Sequence, residues 1–397
     1  MGSVERASAE MHDADPDLTA VVVGDRDSLA EAGQSRSSQS GLGLRHVQKA
    51  IVLRPAFGNL RPVPDRLPTF AVIGEALLDL AAPADDGASI ARPGGSPMNV
   101  AIGLARLGQS TAFAGRMSDD PIGTILRRHL ERSAVDLRHV VHAADPSTIA
   151  LVELSEGQAR YEFSLRGADF QWSAAELAFL PGGAQAVHFG SLASWLPPGD
   201  AAVGAVIGRL RREGSVLISY DPNVRPALLP DAAAARRQIE QSVGLAHIVK
   251  ASSDDLAWLY GAAETAGAVA GRWLDLGAEV VVITAGPDGA TAWTRRQPPV
   301  TRPAFPAPLA DTVGAGDAFT SGLLDALARR DLLAPASLAE LGDVATLAGV
   351  LDDAALIAGI TVSRAGADPP RATEAAALRR SDGLGRSGGL GRSGGPG

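Results

Sequence analysis

The chain has 397 residues, 46% of them hydrophobic, with no cysteine and a formal net charge of −9. That length suits one large α/β unit with appendages, and that apolar content can fill a sizeable core. Without cysteine, disulfides, thiolate chemistry and Cys-ligated metals are excluded, and an acidic chain is poorly suited to a nucleic-acid partner. Residues 19–23 form too short an apolar run for a signal or an anchor. No apolar run reaches transmembrane length, so a cytoplasmic protein with no membrane partner is expected.

Residues 1–66 are dominated by Ser, Gly, Asp, Glu and Arg, and Pro55, Pro62, Pro64 and Pro68 punctuate the exit. The composition predicts a disordered N-terminal extension, and it also fits residues translated from an upstream start. Residues 67–374 then alternate between short apolar runs and amphipathic stretches. Strands are predicted at 70–74, 111–115, 186–190, 216–220, 247–250 and 280–284, with helices at 99–107, 200–212 and 232–243. Short apolar runs separated by helices indicate a mostly parallel sheet covered on both faces, which binds ligands beyond the carboxyl ends of its strands. Residues 148–154 and 159–165 read instead as an antiparallel hairpin, the second arm alternating strictly between apolar and polar. Residues 361–367 fit a terminal strand region. The Gly/Ser/Arg repeat of 381–397 has nothing to bury, so 375–397 is expected to be a flexible tail.

The chemistry concentrates in Asp311-Thr312-Val313-Gly314-Ala315-Gly316-Asp317, which runs into a helical stripe at Phe319, Leu323 and Leu327. Glycines at a helix start let amide donors converge on an anion. A carboxylate placed among them could accept a proton from a hydroxyl while the donors hold a phosphoryl group. A second Gly-rich helix start, Gly94-Gly95-Ser96-Pro97-Met98-Asn99-Val100-Ala101, brings backbone close to a ligand, with Asn99 able to donate and accept. Ser96 or Asn99 capping that helix, with Pro97 in its first turn, is a compatible reading. Asp79 follows the first strand, where it could accept from two sugar hydroxyls or simply close a turn. Asp221-Pro222-Asn223-Val224-Arg225 places Arg225 where it could grip phosphate oxygens, although the first three residues alone also make a plain turn.

The stretch 311–317 matches DTxGAGD at every fixed position and 94–101 matches GGxxxNxA; together they resemble the two signatures of the ribokinase-like, PfkB-type carbohydrate kinases. The resemblance covers about residues 69–372. It implies a Rossmann-type three-layer α/β/α domain with a mostly parallel central sheet and a small β-hairpin lid, at about 80–93 and 145–170. It also implies a kinase using ATP, Mg²⁺ and in some relatives K⁺, with a homodimer through the lid as a further partner. Asp317 would be the catalytic base, and Gly314, Ala315 and Gly316 the anion hole, with Arg225 beside the transferring group. Asp79, Gly94, Gly95 and Asn99 would bind the sugar, joined by Arg166 from the lid. Ser96 stands where kinases of phosphosugars, and ribokinases, commonly carry Lys, and Pro97 follows it as in the fructokinase-like pattern, which points to a neutral hexose such as fructose. Arg166 keeps ketodeoxygluconate open as a substrate. Ribokinase or nucleoside kinase activity and a sugar-binding regulatory protein stay open as well.

For the nucleotide, the resemblance implies contacts from Lys250, Ser252, Thr284, Gly286, Gly289 and Thr312. Asp255 would hold Mg²⁺ through water, and Asp311 with the Val313 carbonyl would neighbour K⁺. Ser252 and Asp255 replace the family's Asn and Glu, and Ala355 stands where relatives carry an Asn near adenine.

Overall fold

The computed structural model describes residues 21–24, 50–52, 67–81, 89–155, 158–164, 172–177, 183–229 and 231–387. Six parallel strands make most of the main sheet: β6 (Thr111–Ala114), β3 (Phe70–Ile73), β11 (Ala186–Gly190), β12 (Leu217–Asp221), β13 (Ile248–Ser252) and β14 (Val280–Thr284). The antiparallel strands β15 (Ala290–Thr294) and β16 (Val300–Arg302) extend it beyond β14. β3 and β14 read as near-continuous apolar runs because helices cover both faces. Phe70 and Val72 enter one core layer, while Ala71 and Ile73 enter the other.

Counting helices of two turns or more, the first layer is built by α1 (Ser96–Arg106), α2 (Pro121–Arg132), α7 (Ala315–Ala328) and α8 (Val344–Val362). The second is built by α3 (Gly199–Glu213), α4 (Ala232–Leu245), α5 (Ser253–Tyr260) and α6 (Ala266–Leu276). The strands and helices expected between 70 and 284 are all present, with ends shifted by a few residues.

A second sheet stands apart, in the order β10 (Gln158–Ser164), β9 (Ile149–Ser155), β4 (Leu77–Ala81), β5 (Ser89–Gly94), β1 (Val21–Gly24) and β2 (Ala50–Val52). It contains the expected hairpin, with Ser155 paired to Gln158. The short strands β7 (Arg116–Ser118) and β8 (Val141–Ala143) pair separately.

Several expectations are corrected. Within 1–66 the described residues are two strands, Val21–Gly24 and Ala50–Val52, added to the edge of β5 where backbone groups are left unpaired. Residues 361–362 close α8 instead of forming a strand. The start of the tail belongs to α9 (Ala372–Ser387), anchored where Arg379 meets Asp325 and Asp353. α8 itself is 19 residues long with a mean hydropathy of 1.6, enough by length and composition to cross a membrane, contrary to the sequence reading. Here it is a core helix: Leu347, Val350, Leu351 and Ala354 are buried, and Asp352 and Asp353 pair with Arg302, Arg329 and Arg330.

Candidate active site

Two helix starts meet beyond the carboxyl edge of the main sheet. At α7 the residue before the helix is Gly314, in the left-handed region at φ 74°, where a β-carbon would also come within 2.5 Å of Ala367. This start carries no side-chain cap. The Ala315 amide turns back to the Thr312 carbonyl at 3.2 Å, whereas the amides of Gly316 and Asp317 take no acceptor among the described residues. The expected three-residue anion hole is thus narrower at Ala315, and the open donors lie one residue further on.

Asp317 is held from the other helix start. Ser96 Oγ donates to its Oδ1 at 2.6 Å and Asn99 Nδ2 to its Oδ2 at 2.8 Å. Neither side chain caps α1, so both are left to face Asp317. Burial pushes the Asp317 carboxyl above the ordinary aspartate range. The two donors and the Lys250 ammonium oppose that shift, and Asp221 adds to it.

Lys250 is the cation beneath this point. Its Nζ bonds Asp221 Oδ2 at 2.9 Å, with both side chains buried. A β-carbon at position 316 would come within 2.9 Å of that Nζ, so the ammonium lies against the GAG turn. Burial alone would lower the Lys250 pKa, but Asp221 beside it holds it above the usual lysine value.

Asp255 behaves differently. Its Oδ1 accepts from the Val224 amide at 2.9 Å, and its Oδ2 from the Ser252 amide and hydroxyl at 2.9 and 2.7 Å. Ser252 Oγ in turn accepts from the Asp255 amide at 3.0 Å, completing a capping box on α5. Both residues are therefore first of all a helix cap. Among the described residues no three His, Cys, Asp or Glu side chains converge as a metal cluster.

On the lid side, Asp79 of β4 lies over Gly94 of β5, where a β-carbon would come within 1.9 Å of Oδ2. The absence of a side chain at 94 is what admits the carboxylate. Burial pushes Asp79 up to about 7, opposed by Arg225 and reinforced by Asp317. Arg225 lies near enough to influence both Asp79 and Glu75, and its Nη1 also bonds the Val224 carbonyl at 3.1 Å. Gly95 passes close to the chain after β3, with φ 109° and a β-carbon position 2.7 Å from the Glu75 carbonyl. Arg166 lies outside the described residues.

The residues expected at the nucleotide lie largely near the ends of β13 and β14. Ser252 and Thr284 are register partners, and Gly286 and Gly289 form the turn into β15, closed by the Ala285 amide on the Gly289 carbonyl. Thr312 is exposed ahead of α7. Ala355 is buried in the core. Asp311 is not a free cation ligand: its carboxylate accepts from the amides of Val313 and Gly366 at 3.0 and 2.8 Å and from Arg92 at 3.5 Å.

Sequence reasoning missed Ser96 as a partner of Asp317, and it missed Glu75. The Glu75 side chain is buried, accepts from the Ala193 amide at 3.2 Å and sits near Ser191, with burial raising it to about 7. An acid inside an apolar strand end, Gly74-Glu75-Ala76, is the signal that could have found it.

Residues 68–374 match the profile of the pfkB family carbohydrate kinases. The fructokinase of Rhizobium leguminosarum bv. trifolii is 38% identical over 253 residues, covering 64% of this chain and 76% of that protein. Among solved structures, fructokinase with bound ATP from Xylella fastidiosa superposes with a TM-score of 0.73 at 25% identity, covering 80% of this chain and all of that one. A fructokinase double mutant from Vibrio cholerae O395, bound to fructose, ADP and potassium ion, gives 0.65 at 26% identity over 77% of this chain and 95% of that one. With both signatures meeting at one carboxylate and the family profile spanning the whole sheet, this chain belongs to the pfkB family of carbohydrate kinases.

Proposed function

We propose that this kinase transfers the γ-phosphoryl group of ATP to the primary hydroxyl of fructose, giving fructose 6-phosphate. The observation that carries this reading is the contact of Ser96 and Asn99 with Asp317. The acid that would accept the hydroxyl proton is positioned by the residues expected to hold the sugar. Ser96 as a hydroxyl donor, where kinases of phosphosugars would have a cation, suits a neutral substrate. The likeness to fructokinases supports fructose in particular.

Asp79, Gly94, Gly95 and Asn99 orient the sugar, with Arg225 balancing the Asp79 charge. Asp317 accepts the proton as the hydroxyl attacks in line. The amides of Gly316 and Asp317, at the positive end of α7, stabilise charge on the transferring group together with Lys250 behind them. The lid sheet excludes water, which would otherwise compete as acceptor. Thr284, Gly286, Gly289 and Thr312 border the nucleotide. Mg²⁺ arriving with ATP supplies charge neutralisation at the phosphates. Asp255 has three of roughly four acceptor positions filled, so its part is limited to holding metal-bound water.

A coupled ADP-release assay across fructose, glucose, ribose, ketodeoxygluconate and adenosine tests the reading. Fructose should give the highest kcat/KM. A higher value with another acceptor reassigns the substrate, and no turnover with any of them leaves a sugar-binding protein.

A further inference from the structure

The Asp311 carboxylate is the hinge pin of the turn that leads into the anion site. Its Oδ1 accepts from the Val313 amide two residues on, and its Oδ2 accepts from the Gly366 amide of the loop behind. That loop backs the Gly314 turn at Ala367 and is fixed by Asp368, which pairs with Arg106 and Arg364. Asp311 thus ties the 311–317 turn to a rigid platform.

The cation on Asp311 comes from the lid. Arg92 lies on β5, opposite Asp79 in the β4–β5 register, so one cross-strand pair carries a sugar-side acid and this guanidinium. Arg92 Nη1 is 3.5 Å from Asp311 Oδ2, with the two side chains 35% and 24% exposed, so solvent does not separate them fully. Gly366 makes the approach possible: at φ 77° it is left-handed, and a β-carbon there would come within 2.8 Å of Arg92 Nη1.

The resemblance puts a monovalent cation beside Asp311, and a potassium ion accompanies the Vibrio cholerae fructokinase. The Asp311 carboxylate has little room for that ion. Three of the roughly four acceptor positions on Asp311 are filled, and a second cation at the fourth would be repelled by the guanidinium. We propose that Arg92 takes the place of the monovalent cation, so that a lid side chain positions the Asp311–Asp317 turn and the chain works without K⁺.

The test compares wild type, Arg92→Ala and Arg92→Lys in potassium, sodium and choline chlorides at constant ionic strength, with and without millimolar guanidinium chloride. Two quantities are read: the initial rate of ADP release, and the Tm of the protein without nucleotide or sugar. Wild type should give the same rate within about twofold in all three salts, and no K⁺-specific rise in Tm. Arg92→Ala should lose about tenfold in kcat, with guanidinium restoring part of it and Arg92→Lys intermediate. K⁺-specific activation or stabilisation of wild type would overturn the proposal, as would an Arg92→Ala enzyme with unchanged kcat or without guanidinium rescue. If Arg92→Ala does not fold, the wild-type salt comparison decides alone. Only the rate arm rests on the proposed kinase reaction; absence of turnover with every sugar would count against that reaction, while the Tm arm would still test the cation site.

Discussion

Two helices begin at the same edge of the main sheet with an acid in the first turn, and they use it in opposite ways. At α5, Ser252 and Asp255 close a capping box, so the Ser252 and Asp255 amides are satisfied within that box. At α7, Gly314 provides no side chain, the Gly316 and Asp317 amides take no acceptor among the described residues, and Asp317 reaches across to Ser96 and Asn99 of another helix. A helix end that satisfies itself is stable and has little left for a ligand. An end that remains unsatisfied is a place where an anion replaces the missing cap. The same pattern, an acid after a turn, therefore marks structure in one case and chemistry in the other.

Substitutions can break this contrast. Asp317→Asn keeps the size and the hydrogen-bonding reach but removes the base; kcat should fall by about 10² to 10⁴, with both KM values changed little. Steady-state kinetics check it, and a variant that keeps its kcat would return Asp317 to the ordinary acids of a helix start.

Asn99→Ala acts on the same carboxylate more gently. Asp317 must be ionised to accept a proton, and burial already raises it while Asn99 lowers it. Loss of that donor should move the acid limb of the kcat–pH profile to higher pH, the rate rising with pH through the shifted value. A limb that stays in place would mean that the Asn99 contact does not tune the base.

Ser252→Ala probes the closed helix end and should do the least to catalysis. Removing the cap is expected to cost about 1 kcal/mol of stability in denaturant unfolding. The KM for ATP and kcat should change by less than about threefold, since Ser252 is bound within the fold. A collapse in ATP affinity with unchanged stability would instead make Ser252 a nucleotide contact.

Glu75 and Asp79 add a stability signature. Both have native values raised to about 7, so the stability they contribute is full below the ordinary carboxylate range and is lost as pH rises towards 7. Glu75→Gln should flatten that part of the unfolding profile, measured by Tm between about pH 4.5 and 7.5. An unchanged slope would mean that Glu75 is not protonated in the native state over this range.

Much was legible in the chain. The runs 70–74, 186–190 and 280–284 could only be strands buried on both faces, because each is too short for a helix and too apolar for a surface. Gly314, Gly316 and Asp317 stood out because local spacing fixes a helix start. Ser252 was legible as the N-cap of the helix that follows, whereas the Asp255 half of the capping box lay behind a family pattern that assigns the position to metal. The strands at 21–24 and 50–52 were hidden in a polar composition, since an added edge strand needs only a free backbone edge.

The amino-acid order by itself determined the elements and the two signatures, since both depend on side chains within a few residues of each other. Tertiary structure decided what each acid meets. Asp317 finds Asn99 across 218 positions and Asp311 finds Arg92 across 219. No periodicity encodes such pairings, which exist only once the sheet has brought α1, α7 and the lid to one edge. The surroundings of a carboxylate, and with them its proton affinity and its task, are therefore properties of the folded chain.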